Sequence, residues 1–177
     1  MNDSFRLNIG GTEPRTGWKI LNIQPGPDVD FVGSCTDLAQ FDDASISEIY
    51  ASHILEHLSY TGELQKTLAE AYRVLAPGGT FKISVPNFEA LCRIFLHPSL
   101  SMELRHHVMR MIFGGQTDEF DFHRVGLTWE FLSHYLREAG FMNIRKVEEF
   151  RLFDDCSSLR MANMLISLNL EAVKDET

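Results

Sequence analysis

The stretch from Ile49 to Pro86 constrains the fold more than any other part of the chain. It holds an apolar run that ends at Ser52, a segment with apolar residues at helical spacing, a Pro77–Gly79 stop and a second apolar run from Thr80 to Val85. A strand, a crossover helix and a strand form a right-handed parallel unit. Ligands of open parallel sheets bind beyond the carboxyl ends of the strands. The sequence therefore predicts a functional site where these two strands end.

The rest of the chain extends this unit into an α/β fold. Apolar runs predict five further strands, at Phe5–Ile9, Lys19–Ile23, Val29–Val32, Asn143–Phe150 and Asn163–Ala172. Cap residues followed by apolar residues at helical spacing predict four helices, which begin at Thr61, Asn87, Ser101 and Thr128. The link between the first two strands is too short for a crossover helix, and no helix fits between the last two. We expect one domain over residues 1–177, with a Rossmann-like, mostly parallel sheet, an antiparallel C-terminal hairpin and three α/β/α layers.

Composition excludes several classes of partner. The chain has 177 residues and a net charge of −9, which argues against a nucleic acid or an anionic membrane surface as the main partner. No apolar stretch approaches the roughly 20 residues that span a bilayer. The three cysteines form no CxxC pattern, and the first residues lack a signal-peptide pattern, so we expect a cytoplasmic protein.

Two histidines follow the strand that ends at Ser52. His53 and His57 are four residues apart, and a histidine suits general-base chemistry because its unperturbed pKa is near 6.5. The alternative is that both only order the loop. The sequence HILEH differs from a zinc-binding HExxH helix because Glu56 adjoins the second histidine, and no third ligand is evident. We therefore predict no metal site.

The stretch from Gly114 to Gly126 is a second concentration of polar residues. Asp118, Asp121, His123 and Arg124 could bind a polar acceptor, and His123 is an alternative base. Glycines at both ends suit a lid that moves on hinges, so we expect a lid loop over residues 114–126. A solvated connection between two helices is the alternative.

The order of the motifs LNIGG, GW, ASHILEHL and YRVLAPGGTFKISVPN resembles the class I S-adenosylmethionine (SAM)-dependent methyltransferases. The similarity is greatest to the small methyltransferase-domain group, of type 11, and extends from about Leu7 to Asn87. It implies SAM as the cofactor and a small-molecule acceptor. Within that resemblance, a sugar hydroxyl in polysaccharide or natural-product metabolism is the expected acceptor.

The resemblance also implies where the cofactor is bound. The glycines after the first strand would lie under the methionine and ribose, the end of the second strand would meet the ribose hydroxyls, and an Asp-Leu pair would meet the adenine. The residues implied are Gly10, Gly11, Gln24, Asp37, Leu38, Ser52 and His53.

Gln24 departs from the pattern of the family, which has an acid at this position. A neutral amide loses the charge-assisted hydrogen bond to the ribose, worth roughly 1.5–3 kcal/mol against about 1 for a neutral bond. The sequence therefore predicts weaker SAM affinity or a substitute acid such as Asp28.

Two alternatives to an active methyltransferase remain. The chain could be a degenerate, non-catalytic binding module, because Gln24 replaces the acid, the first connection is short and no helix precedes Phe5. The pocket would then be open unless residues 114–126 or a second subunit, as in a homodimer, covered it. A nicotinamide-dependent oxidoreductase is disfavoured because no GxGxxG opens a helix.

Overall fold

The computed structural model describes residues 4–161 and 163–176, which fold around one seven-stranded sheet. The strand order is β3-β2-β1-β4-β5-β9-β6, and a separate hairpin pairs β7 with β8. The strands are β1 Phe5–Ile9, β2 Trp18–Asn22, β3 Phe31–Val32, β4 Ile46–Ser52, β5 Leu75–Pro86, β6 Met142–Lys146, β7 Arg160–Met161, β8 Met164–Leu165 and β9 Ser167–Val173.

The predicted fold class is confirmed. Strands β1 to β5 pair in parallel, and β9 runs antiparallel to both β5 and β6. The strand predicted over Asn143–Phe150 was too long, because β6 ends at Lys146 and an irregular segment, 147–159, leads away from it. Asn169 on β9 fastens this segment by donating from Nδ2 to the carbonyls of Glu148 and Ser157, each at 2.8 Å.

Four α-helices form where caps and apolar spacing predict them. They are α1 Glu63–Val74, α2 Phe88–Phe95, α3 Met102–Phe113 and α4 Trp129–Glu138. The side chains of Asn87, Ser101 and Thr128 accept from the amide three residues on, as N-caps do. The predicted Thr61 cap is wrong, because Gly62 takes the N-cap position with φ of +127°, where a residue without Cβ has no steric cost.

The main core lies between one face of the sheet and helices α1 and α4. Leu64, Leu68 and Ala71 of α1 and Leu132 and Leu136 of α4 are fully buried in it. Phe131, which precedes the buried Leu132 at the start of α4, is by contrast 56% exposed. Helices α2 and α3 form a smaller cluster with Ile166.

The opposite face of the sheet is covered differently. The rings of Phe150 and Phe153, from segment 147–159, pack against Tyr50, and Phe153 also meets Trp18 edge-on. Within the described residues, no helix connects β1 to β2 or β2 to β3, because those links are short. The third layer at these strands is therefore an irregular segment rather than helices.

Two further expectations from the sequence concern a helix before Phe5 and helices that span a membrane. The expectation that no helix precedes Phe5 falls largely on residues 1–3, which lie outside the described residues. In the described ranges, no helix combines the length and the apolar character needed to cross a bilayer.

Candidate active site

The sheet order reverses between β1 and β4, and a cavity lies at that point. In open α/β sheets the connections diverge there and leave a crevice beyond the carboxyl ends of the strands. The cavity measures about 410 Å³, and we call it the switch-point cavity. Its lining comes from the ends of β1 and β2, from residues 33–36, from the segment 54–58 that follows β4, from the start of α1 and from the 114–126 loop.

Gly10 lies in the wall of the switch-point cavity, directly after β1. Its φ is +78°, and its amide donates to the carbonyl of Leu21 at 2.7 Å. A Cβ at this position would be 2.0 Å from Cδ1 of Ile54. Packing within the protein therefore requires glycine here, independently of any ligand.

Gln24 lines the same cavity, but the suggested substitute acid does not. The Asn22 side chain accepts from the Gln24 amide at 2.9 Å and donates to the Gly11 carbonyl at 3.1 Å, which joins the loops after β1 and β2. Asp28 lines a different cavity, beside Trp18. The acids that do line the switch-point cavity are Glu63, Asp118, Glu119 and Asp121.

The Asp37–Leu38 pair is not among the residues that line this cavity. The Leu38 amide donates to Oε2 of Glu70 at 3.0 Å, and Leu38 is fully buried. Helix α1 therefore already holds this amide, and the contact of the Asp-Leu pair with adenine stays a prediction. The Asp37 carboxylate caps its own turn by accepting from the Ala39 amide at 3.2 Å.

Gly11 and Ser52 lie at a smaller cavity of about 100 Å³, which we call the side cavity. Gly10 lines both cavities and so separates them. Tyr50 donates its hydroxyl to Oδ2 of Asp155 at 2.6 Å at the side cavity. Burial and this hydrogen bond raise the pKa of Tyr50, so the phenol stays protonated.

Three histidines surround the carboxylate of Glu56, which is 1% exposed. Nδ1 of His53 is 3.3 Å from Oε1 of Glu56, and Nε2 of His123 is 3.9 Å from the same oxygen. The rings of His57 and His123 meet edge-on with their centroids 4.8 Å apart. Neither carboxylate oxygen of Glu56 has a hydrogen-bond partner among the described residues. We call Glu56, His53, His57 and His123 the Glu56 cluster.

The hydrogen-bond partners of two of these histidines determine which ring nitrogen carries the proton. His57 Nδ1 lies 3.2 Å from the carbonyl of Phe122, which can only accept, so Nδ1 carries a proton and Nε2 keeps its lone pair when the ring is neutral. The Ser167 hydroxyl donates to the Cys156 carbonyl at 2.6 Å and must therefore accept from Nε2 of His53 at 3.1 Å. His53 is held in this place with a φ of +55°, a strained value for a residue other than glycine.

Burial lowers the pKa of His123, against the opposing attraction of Glu56. The neighbouring positive charge of protonated His57 lowers it further, whereas a backbone hydrogen bond to Met111 raises it. His123 is therefore neutral at pH 7, and a neutral imidazole can accept a proton or bind a metal ion.

The 114–126 loop is fastened to the Glu56 cluster. The amides of Arg124 and Val125 donate to the carbonyl of Glu56, at 2.7 and 3.3 Å. The Asp121 carboxylate closes the loop on itself by accepting from the amides of Gly115 and Thr117 and from the Thr117 hydroxyl. The hydrogen bond from Thr117 lowers the pKa of Asp121, so its carboxylate is charged at neutral pH.

A third cavity, of about 270 Å³, lies between this loop and α3, and we call it the α3 cavity. His53 and His123 line it from the Glu56 cluster, and His107 and Arg110 line it from α3. Among the described residues, no aspartate or glutamate lines this cavity. The Glu56 cluster therefore stands between two cavities, since His57 lines the switch-point cavity and His123 the α3 cavity.

Comparison with known proteins finds one family match. Residues 17–83 match the family model described as "Methyltransferase domain". Over this part the chain is similar to the class I SAM-dependent methyltransferases. SAM is the cofactor that this match indicates. No curated protein sequence matches the chain.

Solved structures of methyltransferases share the fold of this protein at low sequence identity. A SAM-dependent methyltransferase from Archaeoglobus fulgidus superposes with a TM-score of 0.59 at 16% identity, over 98% of this chain and 87% of the other. A chain from the Haloferax volcanii complex of the Trm112 methyltransferase activator with a methyltransferase gives 0.58 at 16%, over 97% and 82%. Phosphoethanolamine N-methyltransferase 2 of Haemonchus contortus, solved with SAM, gives 0.56 at 15%, over 99% and 50%.

Glu56 is the residue at this site whose importance the sequence did not reveal. In the sequence it is only a neighbour of His57, because a glutamate between a leucine and a histidine in a short polar stretch has the pattern of a solvated residue. What distinguishes Glu56 is its contact with His123, which lies 67 positions further along the chain and is brought in by the 114–126 loop. Without the fold, nothing in the sequence joins these two residues.

Proposed function

We propose that this methyltransferase transfers the methyl group of SAM to a small polar acceptor that carries an anionic group. One observation carries the proposal: a cavity lined by four carboxylates and a cavity lined by the guanidinium of Arg110 meet at the Glu56 cluster. Four acids line the switch-point cavity, against Arg124 and His57. Arg110 and three histidines line the α3 cavity, with no acid.

The charge of the switch-point cavity suits SAM. The cofactor carries a sulfonium and an ammonium against a single carboxylate, so its net charge is positive, and nearby carboxylates attract it. We propose that the adenosine and the sulfonium lie in the switch-point cavity, and that the rest of the methionine part, with its ammonium, extends past Gly10 towards the side cavity, which Glu13, Asp154 and Asp155 line. Gln24, Gly11 and Ser52 are then cofactor contacts, as the sequence predicts. The carboxylates of residues 118–121 offer the acid that is lacking at position 24.

The charge of the α3 cavity suits an acceptor with a carboxylate or a phosphate. The guanidinium of Arg110 binds such groups with two parallel hydrogen bonds. In a chain of net charge −9, a cavity without acids also attracts anions locally. The sugar hydroxyl suggested by the family resemblance stays a prediction, as does the homodimer.

The Glu56 cluster would serve the transfer itself. Methyl transfer is an in-line displacement, in which the enzyme aligns the nucleophile with the methyl group and excludes water. A hydroxyl acceptor must also lose a proton, and a neutral imidazole of His57 or His123 can take it. His53, which is bound to Ser167, would then position Glu56.

A substitution at Arg110 tests the acceptor side. We expect the protein to form S-adenosylhomocysteine from SAM when it is supplied with a pool of small anionic metabolites. Arg110→Gln should raise KM for the acceptor roughly tenfold or more, the equivalent of one lost charged hydrogen bond, with the Kd of SAM unchanged. Arg93→Gln, on the exposed side of α2, is the matched control.

Two results would count against the proposal. Turnover only with neutral acceptors, unaffected by Arg110→Gln, would remove the α3 cavity as the acceptor site. Bound SAM with no turnover in any pool would favour the non-catalytic binding module that Gln24 suggests.

A further inference from the structure

The Glu56 carboxylate is buried without the compensation that a buried charge requires. Its side chain is 2% exposed, and neither oxygen has a hydrogen-bond partner among the described residues. A buried carboxylate without a partner is costly, so such groups are normally protonated, paired or bound to a cation. The nearest protein groups, His53 and His123, lie at 3.3 and 3.9 Å without hydrogen-bond geometry.

The groups around this carboxylate are the usual ligands of a transition metal. One donor atom from each of Glu56, His57 and His123 lies within 4.8 Å of the others. In a tetrahedral zinc site, ligand atoms at about 2.0–2.2 Å from the metal are roughly 3.4 Å apart. Closing the present spacing to that value takes about 1 Å of movement, within reach of side-chain rotation.

The position of the proton on His57 also favours metal binding. Its Nδ1–H donates to the Phe122 carbonyl, which leaves the Nε2 lone pair free. Histidines that bind metals commonly donate their other ring N–H to a backbone carbonyl, which fixes the ring and the tautomer. The backbone at Glu56 is also fixed, because its carbonyl accepts from Arg124 and Val125.

We propose that Glu56, His57 and His123 bind one divalent transition-metal ion of the zinc class. Two imidazoles and one carboxylate favour zinc, iron, nickel or copper over magnesium or calcium, which prefer oxygen ligands alone. Three protein ligands leave a further coordination position, as in catalytic zinc sites. His123 is the third ligand that the HILEH sequence lacked.

The position of this site gives the metal a role at the acceptor. The ion would stand between the switch-point cavity and the α3 cavity, and an acceptor hydroxyl bound to it would have a lowered pKa. Metal binding and proton acceptance use the same nitrogen lone pairs, so His57 and His123 act as bases only in metal-free protein. The inference concerns metal binding and does not depend on the proposed methyl transfer.

Titration of metal-stripped protein with Zn²⁺ and with Co²⁺, each alone, tests the site without SAM or acceptor. We expect one equivalent of Zn²⁺ with micromolar or tighter Kd, the visible absorption bands of protein-bound Co²⁺, and no competition by Mg²⁺. His57→Asn and His123→Asn should each weaken Zn²⁺ binding by more than the roughly 10–100-fold that loss of an outer-shell partner costs. Glu56→Gln should do the same.

A surface histidine supplies the control for adventitious binding. His134→Asn removes an exposed histidine that also pairs with a glutamate, Glu138, and should leave the titration unchanged. Because Glu56 is buried, Glu56→Gln is compared only if circular dichroism shows it folded, and the two histidine variants carry the test otherwise. Absence of binding, or binding that none of the three variants weakens, would overturn the proposal and leave Glu56 neutralised by a protonated histidine.

Discussion

At the scale of single residues, Gln24 is where this chain departs from the pattern of the methyltransferase family that it resembles, and the effect of this departure can be measured. The side chain is exposed and lines the switch-point cavity. We expect Gln24→Glu to tighten SAM binding about tenfold, since a charged acceptor for the ribose hydroxyls adds about 1–2 kcal/mol over a neutral one. The measurement is the Kd of SAM by calorimetry.

The control for this substitution is Gln40→Glu, which adds the same charge at an exposed position that does not line the cavity. Equal tightening by both variants would mean that only the overall charge matters. Unchanged or weaker binding by Gln24→Glu would show that position 24 does not contact the ribose.

Gly10 shows why a plausible test at one residue can mislead. A substitution such as Gly10→Val would fill the cavity wall, but its Cβ would first collide with Ile54, and φ of +78° disfavours any side chain. A loss of SAM binding in that variant would therefore report misfolding as readily as a blocked site.

At the scale of elements, α1 fastens the loop that walls the switch-point cavity. Glu70 accepts from the Leu38 amide and from Arg73, while Arg73 donates to the carbonyls of Leu38 and Phe41 and to Asp43. The hydrogen bond from Arg73 lowers the pKa of Glu70 and raises that of Arg73, so both are charged at neutral pH. Glu70 and Arg73 of α1 thus fix the position of the loop that carries Cys35 and Thr36.

Removing the charge of Glu70 should loosen this connection. Glu70→Gln should lower the free energy of unfolding by roughly 1.5–3 kcal/mol at pH 7. Because the folded-state pKa of Glu70 is depressed, its contribution is complete above the ordinary value of 4.5 and is lost as the pH falls below it. The difference in Tm between wild type and variant should therefore shrink on acidification below about pH 4.5.

The comparison for Glu70 is Glu138→Gln, in an exposed ion pair on α4, which should change the stability little at any pH. A Tm difference for Glu70→Gln that persists unchanged to pH 3 would contradict the assignment, because it would arise from packing and not from the charge.

Helices and parallel strands were predictable because their signals are local. Caps at Asn87, Ser101 and Thr128 and apolar spacing in α1 depend only on neighbours in sequence. The end of β6 was not predictable, since segment 147–159 leaves the sheet to pack Phe150 and Phe153 on Tyr50, far away in sequence. The hydrogen bond of the Leu38 amide was not predictable for the same reason, because Glu70 reaches it from another element.

At the scale of the whole molecule, the net charge of −9 conceals an uneven distribution. Acids gather around the switch-point cavity, and basic groups line the α3 cavity. The strand ends that form the site were predictable from the order of the motifs. The joining of Glu56 to His123, and hence the meeting of the two cavities, depends on how the 114–126 loop folds back, which no local pattern encodes.

Calorimetric titration of the protein with SAM, and separately with S-adenosylhomocysteine, tests the central claim most directly. We predict one equivalent of each ligand with a micromolar Kd, with SAM favoured by the acidic lining because only SAM carries the sulfonium charge. Raising the ionic strength should weaken that preference. Absence of binding of either ligand at millimolar concentration would contradict the account, because the switch-point cavity would then not be a SAM site.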